Sequence, residues 1–370
     1  MDVIPKWVDV LLIPLINLAL ALVVSMLVIL WIGENPFEAM AIMVKGAVGS
    51  AYGWGYTLYF ATNFIFTGLA VAVAFHARLF NIGGEGQAAL GGLGVALVCL
   101  ALPWPHWTLA LPAAIVGAAL FGAAWAAIPA WLQARRGSHI VITTIMFNFI
   151  AQALLVYLLV GPLKASGMSP ETAPFPDGAA LPTAHDIAPW LGFRPSAPLN
   201  ISFLLALIAC VGVWLLIWRT RLGYEIRAFG HSEPAAVYAG IHPTRIIMAT
   251  MLISGALAGC MAINSVMGEA ERLVINSVQG AGFVGIAVAL MGRSHPVGVL
   301  LAALLFGMLY QGGAELEFEM PSISREMIVV IQALVILFTG ALDNMVRMPI
   351  ESFYAARKRR ASRARMQAAE

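Results

Sequence analysis

Long uncharged apolar runs, each close to the length of a bilayer-crossing helix, recur along the chain and are parted by short polar segments. About 20 apolar residues span the hydrocarbon core. Inside lipid the backbone must satisfy its own hydrogen bonds, which leaves helices or closed barrels as the spanning forms. The runs are too long for barrel strands and predict spans at Leu11–Gly33, Thr57–Phe75, Ala88–Leu102, Trp107–Leu132, Ile140–Val160, Ile201–Trp218, Ile246–Met267, Ala281–Gly292, Pro296–Gly312 and Met327–Met345. The composition agrees, with 61% hydrophobic and 11% charged residues against about 25% charged in soluble domains. The expected fold is an all-α polytopic membrane protein with about ten transmembrane helices, some short or broken. A single transmembrane domain would cover 1–346 and a basic tail 347–370. One basic residue, Lys6, precedes the first run. That run is too long and too weakly preceded by charge for a signal peptide, so it reads as a retained span.

Charge placement orients the spans. With a cytoplasmic N-terminus, 16 of the 21 Lys and Arg residues fall in inside segments, among them Arg78, Arg135, Arg136, Arg219, Arg221, Arg227, Arg245, Arg293 and the tail cluster Arg357 to Arg365. Only Lys45, Lys164, Arg194, Arg272 and Arg325 fall outside. Such a bias places both termini in the cytoplasm. The net charge of +2 is too small to suggest a nucleic-acid partner, and the basic tail reads as a retention signal. Cys99, Cys210 and Cys260 lie inside apolar runs and imply neither a disulfide framework nor a metal site.

Small residues four apart mark helix faces built for close approach: Ala118, Gly122 and Ala126; Gly255 and Gly259; Ala281, Gly285 and Ala289. Ala88–Leu102 and Ala281–Gly292 are too short to cross unaided, and short helices are tolerated where protein buries them or where they line a cavity. Gly68–Leu97 and Gly282–Leu309 share a loose pattern of Gly-rich span, one Arg (Arg78, Arg293) and a second Gly-rich span.

Phe80-Asn-Ile-Gly-Gly-Glu-Gly-Gln87 interrupts apolar sequence with an acid, two amides and three glycines. Gly83, Gly84 and Gly86 permit an irregular backbone, and Glu85 suits the positive end of the following helix. The run serves either as a capped tight turn or as the polar lining of a passage, since ionisable groups within membranes usually serve function. Asn63, Asn148, Gln152, Asn264 and Gln332 within spans serve as interhelical glue or line a path. In the 219–245 loop, Ser232 is placed to cap a short helix carrying Glu233 and Pro234 in its first turn and stopped at Gly240. This mostly apolar helix would dock on a partner or lie on lipid headgroups. Gly161–Asn200 holds 8 of the 20 prolines, a density that excludes long regular elements but suits a fixed extended surface. It reads as a connector or as a docking surface outside the membrane.

Three stretches together resemble a known family: Phe80 to Gln87; Gly230-His-Ser-Glu-Pro-Ala-Ala-Val-Tyr-Ala-Gly-Ile241; and Gly280 to Val299. The chain is similar to permease subunits of ATP-driven importers in the group serving branched-chain amino acids, simple sugars and nucleosides. The likeness is closest to nucleoside-type permeases that work with basic-membrane-lipoprotein binding proteins. The resemblance implies a bacterial inner-membrane location, a second permease (identical or homologous), an extracytoplasmic binding protein and a separate ATPase subunit that uses the ATP. No cofactor is expected on this chain. It further implies that Gly230, Ser232, Glu233, Ala235, Ala236, Tyr238 and Gly240 form the helix that couples to the ATPase, Ser232 standing where relatives often have Asn. Val284 stands where many relatives carry a polar residue. The expected translocation path comprises Phe80, Asn81, Glu85, Gln87, Asn148, Asn264 and Phe283, an amide and aromatic set suited to a neutral polar solute. A sugar or amino-acid permease, an ion-coupled carrier and a membrane-embedded enzyme are the competing readings. The second would bury several charges deep in its spans, and the third would need an organised catalytic cluster that the sequence does not carry.

Overall fold

The computed structural model describes residues 5, 8, 12–338, 345–352 and 354–355 of the chain. Among them, eight helical stretches are long and apolar enough to cross a membrane. They are α1 (Ile13–Ile32), α3 (Ala51–His76), α4 (Gly84–Ala101), α5 (Trp107–Arg136), α6 (Ile140–Val160), α8 (Ser202–Arg219), α11 (Pro243–Cys260) with its continuation to Ala270, and α13 (Pro296–Glu319). Between or beside them run α2 (Pro36–Val48), the single turn α7 (Ala184–Ile187), α9 (Arg221–His231), α10 (Glu233–Tyr238), the short apolar α12 (Ala281–Met291) and α14 (Arg325–Ile336). Two isolated β-bridges, Glu171 with Val274 and Thr183 with Asn200, are the extended pairings among the described residues.

Several boundaries differ from the sequence expectation. The second predicted span begins at Ala51 because Ser50 caps the helix, its hydroxyl accepting from the Gly53 amide at 3.0 Å. The supposedly short span from Ala88 begins at Gly84, so its 18 residues reach about 27 Å and it is not a half-length helix. Ala281–Met291 is indeed short, with 11 residues. Helix α2 was not expected at all, since its Lys45 and Glu38 broke the apolar run. After Cys260 the helix widens into a π-helical stretch at Ile263–Ala270. Part of the predicted Met327–Met345 span (339–344) and the Arg357–Arg365 cluster lie outside the described residues.

The chain divides into two compact units, Met1–Val44 with Gly312–Glu370, and Lys45–Gln311. In the first, α1 packs on α14, and Ser322 donates to the Glu34 carboxylate. In the second, α3 and α4 are buried on nearly every side while α5, α6 and α8 keep one apolar face outward. That division marks α3 and α4 as the core of this unit, with α5, α6 and α8 standing around it.

The small-residue stripes are where backbones meet. A Cβ on Gly122 would collide with the Gly255 carbonyl, and one on Gly259 with the carbonyl of Ala118. Gly91 of α4 faces Gly259 from the other side, so α4, α5 and α11 converge on a glycine-lined axis. With no hydrophobic force between helices in lipid, this approach is what gains dispersion and weak hydrogen bonds. Gly285 of α12 lies equally close to Thr67 of α3. The two turns of the loose internal pattern share a conformation: Arg78 (φ 55°) and Arg293 (φ 52°) are both left-handed.

Candidate translocation site and coupling surface

The polar run at residues 80–87 is a hydrogen-bonded joint. Asn81 Oδ1 accepts from the Gly83 amide (2.9 Å) and from Gln87 Nε2 (3.1 Å), while its Nδ2 donates to Gln87 Oε1 (2.9 Å) and Ser254 Oγ (2.8 Å). Ser254 Oγ then donates to the Ala70 carbonyl of α3 at 2.7 Å. From α6, Asn148 Oδ1 accepts from the Gly86 amide and its Nδ2 donates to the Ile82 carbonyl, both at 2.9 Å. Helix N-termini leave backbone amides unpaired, and these two asparagines supply partners at the start of α4.

Glu85 reaches elsewhere. Its two carboxylate oxygens accept from the amides of Gly280 and Gly282, each at 2.9 Å, so it caps α12 from the first turn of α4. The sequence places Glu85 at the positive end of its own helix; in the structure Asn81 and Asn148 supply the partners there. Gly282 has to be glycine, because a Cβ there would strike the Glu85 backbone. The carboxylate lies at two positive helix ends at once, an arrangement favoured by the helix dipole.

Asn264, in the π-helical stretch, is saturated as well. Its Oδ1 accepts from Asn200 Nδ2 (3.0 Å) and Ser202 Oγ (2.8 Å), and its Nδ2 donates to the Tyr59 carbonyl (3.0 Å) and Asn63 Oδ1 (2.8 Å). Asn81, Gln87, Asn148 and Asn264 are therefore buried with their amides engaged inside the bundle. Phe80 packs on Phe75 with ring centroids 5.1 Å apart, and Phe283 is 47% exposed on α12.

Two clefts flank the segment that leads into α12. One, a narrow cleft of about 20 Å3, is lined by Phe60, Asn63 and Phe64 of α3, Tyr310 of α13, and Ser277 and Gln279. The other, about 40 Å3, touches Glu85, Gln152 and Asn276. Of the seven predicted path residues only Glu85 lines either one. The first cleft belongs to an aromatic ladder: Phe64 and Tyr310 are 4.9 Å apart, Phe60 and Tyr310 5.6 Å, and Phe60 and Phe64 stack at 6.5 Å. Beside it Tyr59 donates its hydroxyl to Glu269 at 2.6 Å. Tyr52, Tyr56, Phe60 and Phe64 recur at four-residue spacing, a helix-face signal that the sequence reading passed over. Asn276 and Gln279 in the flanking segment both hold positive φ, a conformation costly for side-chain-bearing residues and enriched at functional sites.

At the end of this unit carrying Arg78, Arg219 and Arg293, α8 turns through Thr220 into α9 and then α10. Ser232 caps α10, its Oγ accepting from the Ala235 amide at 3.4 Å, and Gly240 (φ 83°) stops it in the left-handed region. Gly230 is required by close approach, since a Cβ there would meet the His76 carbonyl. Within α10 only Ala236 is buried, at 3% exposure, whereas Tyr238 is 96% exposed and Glu233, Ala235 and Val237 also point away. Ala236 thus faces the bundle, and the outward surface is carried by Val237 and Tyr238.

Residues 53–340 match the family described as branched-chain amino acid transport system, permease component. A glucose ABC transporter permease of Haloferax volcanii is 35% identical over 88% of this chain and 86% of its own length. A guanosine ABC transporter permease of Bacillus subtilis is 35% identical over 90% and 93%, and a nucleoside ABC transporter permease of Lactococcus lactis 33% over 88% and 90%. No solved structure matches. The membrane-spanning helices and the reach of these matches agree: the chain belongs to the branched-chain amino acid transport system permease family, as a membrane-embedded ABC transporter permease.

Proposed function

We propose that this permease imports nucleosides, and that the solute's base is received by the cleft of Phe60, Phe64 and Tyr310. The observation that carries the reading is the lining of this cleft, which at about 20 Å3 has room for about one water and must widen to admit a base: aromatic faces for a flat base, with Asn63, Ser277 and Gln279 to bond base edges and sugar hydroxyls, and no Lys or Arg among its lining residues. A base on an aromatic face gains about 1–3 kcal/mol, and an unmatched charge would oppose a neutral solute. Two relatives that transport guanosine and nucleosides by name support the reading.

The permease works in a pair, identical or homologous, with an extracytoplasmic binding protein and an ATPase. ATP-driven closure of the ATPase displaces α10. The displacement passes through α11, which packs on α3, α4 and α5, and through the Glu85 link to the segment between the clefts. A ligand-driven change of this kind requires the two states to differ in free energy with and without ATP. In cells lacking other nucleoside uptake, the assembled importer should accumulate labelled guanosine, and Phe60→Leu and Tyr310→Leu should each lower that uptake. Glucose or a branched-chain amino acid carried well, with no competition from nucleosides, would reject the assignment.

A further inference from the structure

On the flank of the Lys45–Gln311 unit, α8 and the first turns of α13 leave an apolar recess of about 360 Å3. Leu207, Val211 and Trp214 form one wall, and Val297 and Leu300 the other. Val211 and Val297 are each 58% exposed, so the recess opens toward the bilayer. Basic and aromatic groups gather at its mouth. Arg219, the last residue of α8, holds its guanidinium 5.1 Å above the Trp214 ring. One turn beyond Trp214, Trp218 stands 5.0 Å from the His295 ring, and His295 directly precedes Pro296 at the recess. Arg227 of the adjoining α9 buries its Nε without a hydrogen-bond partner. No carboxylate occurs in 207–224 or 292–300, and the nearby Glu225 is already paired with Arg221 at 2.9 Å.

We propose that this recess is a binding site for one anionic phospholipid. An acyl chain lies along Leu207, Val211 and Leu300, and the phosphate is held by Arg219 at the mouth. A lipid fits better than the other possible occupants. Free phosphate would gain nothing from the apolar walls, and a second protein chain would leave the cationic mouth unmatched. Tryptophans flanking the mouth match the preference of indole for the membrane interface. The charge pattern assigns this end to the cytoplasmic leaflet, whose anionic lipids attract juxtamembrane basic groups. The headgroup would sit at the root of the α8–α9–α10 segment, so the lipid would brace the element that presents Tyr238. This site is separate from the solute cleft and does not depend on the nucleoside assignment.

The test uses the full-length chain, purified in detergent and examined by native mass spectrometry with added phosphatidylglycerol, phosphatidylcholine or inorganic phosphate. One phosphatidylglycerol should be retained in preference to phosphatidylcholine. Arg219→Ala should lower its retention about fivefold, the effect of one basic residue at an anionic surface, and Val297→Trp should lower retention of both lipids. Arg194→Ala, in the 161–200 loop, should change nothing. As a check free of folding effects, brominated phosphatidylglycerol should quench tryptophan fluorescence more in the parent protein than in Trp214→Phe. Equal retention of the two lipids, or no effect of Arg219→Ala, would overturn the proposal. Displacement of the lipid by millimolar phosphate would assign the mouth to free phosphate instead. An intermolecular disulfide in native membranes between Val297→Cys chains would assign the recess to a second permease.

Discussion

Replacing Glu85 with Gln tests whether one side chain ties α4 to α12. The carboxylate accepts from two amides, Gly280 and Gly282, at 2.9 Å each. The substitution keeps one acceptor and turns the other oxygen into an NH2 group that faces an N–H donor. One charge-assisted hydrogen bond is lost, worth about 1.5–3 kcal/mol. The helix N-terminus also loses its negative partner, about 0.3–1 kcal/mol more. Counting the hydrogen bond alone, amide exchange at Gly280 and Gly282 should accelerate about 10- to 150-fold, at about 1.4 kcal/mol per decade. Hydrogen–deuterium exchange of the detergent-purified permease, read on peptides covering 275–285, measures this directly. Asn81→Ala is the matched control, since it removes bonds at the start of α4 and should leave the 275–285 peptides unchanged. Unchanged exchange at Gly280 and Gly282 in Glu85→Gln, or equal acceleration in Asn81→Ala, would refute the reasoning.

Three further outcomes follow from the geometry. Gly259→Leu should lower thermal stability by roughly 1–3 kcal/mol or more, because its Cβ meets the Ala118 backbone, whereas Gly212→Leu, with open space around it, should cost little in the same thermal scan. Tyr238→Ala should leave insertion intact but weaken co-purification of the ATPase by about 2 kcal/mol, roughly 30-fold, if the exposed ring anchors the partner; undiminished ATPase binding would exclude α10 as the coupling surface. Cysteines replacing Lys164 and Arg194 should react with an impermeant thiol reagent from outside, and one replacing Arg227 only from inside, while inside labelling of the 161–200 segment would reject the ten-span topology.

Local signals were legible in the sequence and long-range partnerships were not. The Ser232 cap and the Gly240 stop depend on neighbours within a few residues, and both stand as read. Ala118, Gly122, Gly255 and Gly259 could be identified as contact positions because a four-residue stripe defines one helix face, although not which helix it meets. Polar residues inside spans are a harder case. Asn81, Asn148 and Asn264 could each serve a solute or bond another helix, and the deciding partners, Ser254, Gly86 and Asn200, are 62 to 173 positions away. Glu85 finds its partners across 195 residues, beyond any local rule. The aromatic ladder was readable at four-residue spacing on α3. Its meaning came only from Tyr310, which α13 brings against Phe60 and Phe64.

The most direct measurement of where solute binds is photo-crosslinking of an azido-purine nucleoside to the assembled importer, mapped by mass spectrometry. Label on the peptides carrying Phe60, Ser277 to Gln279 and Tyr310, and its loss with excess guanosine, is the predicted result. Label concentrated on Asn81, Gln87 and Asn148, or label unaffected by guanosine, would contradict it.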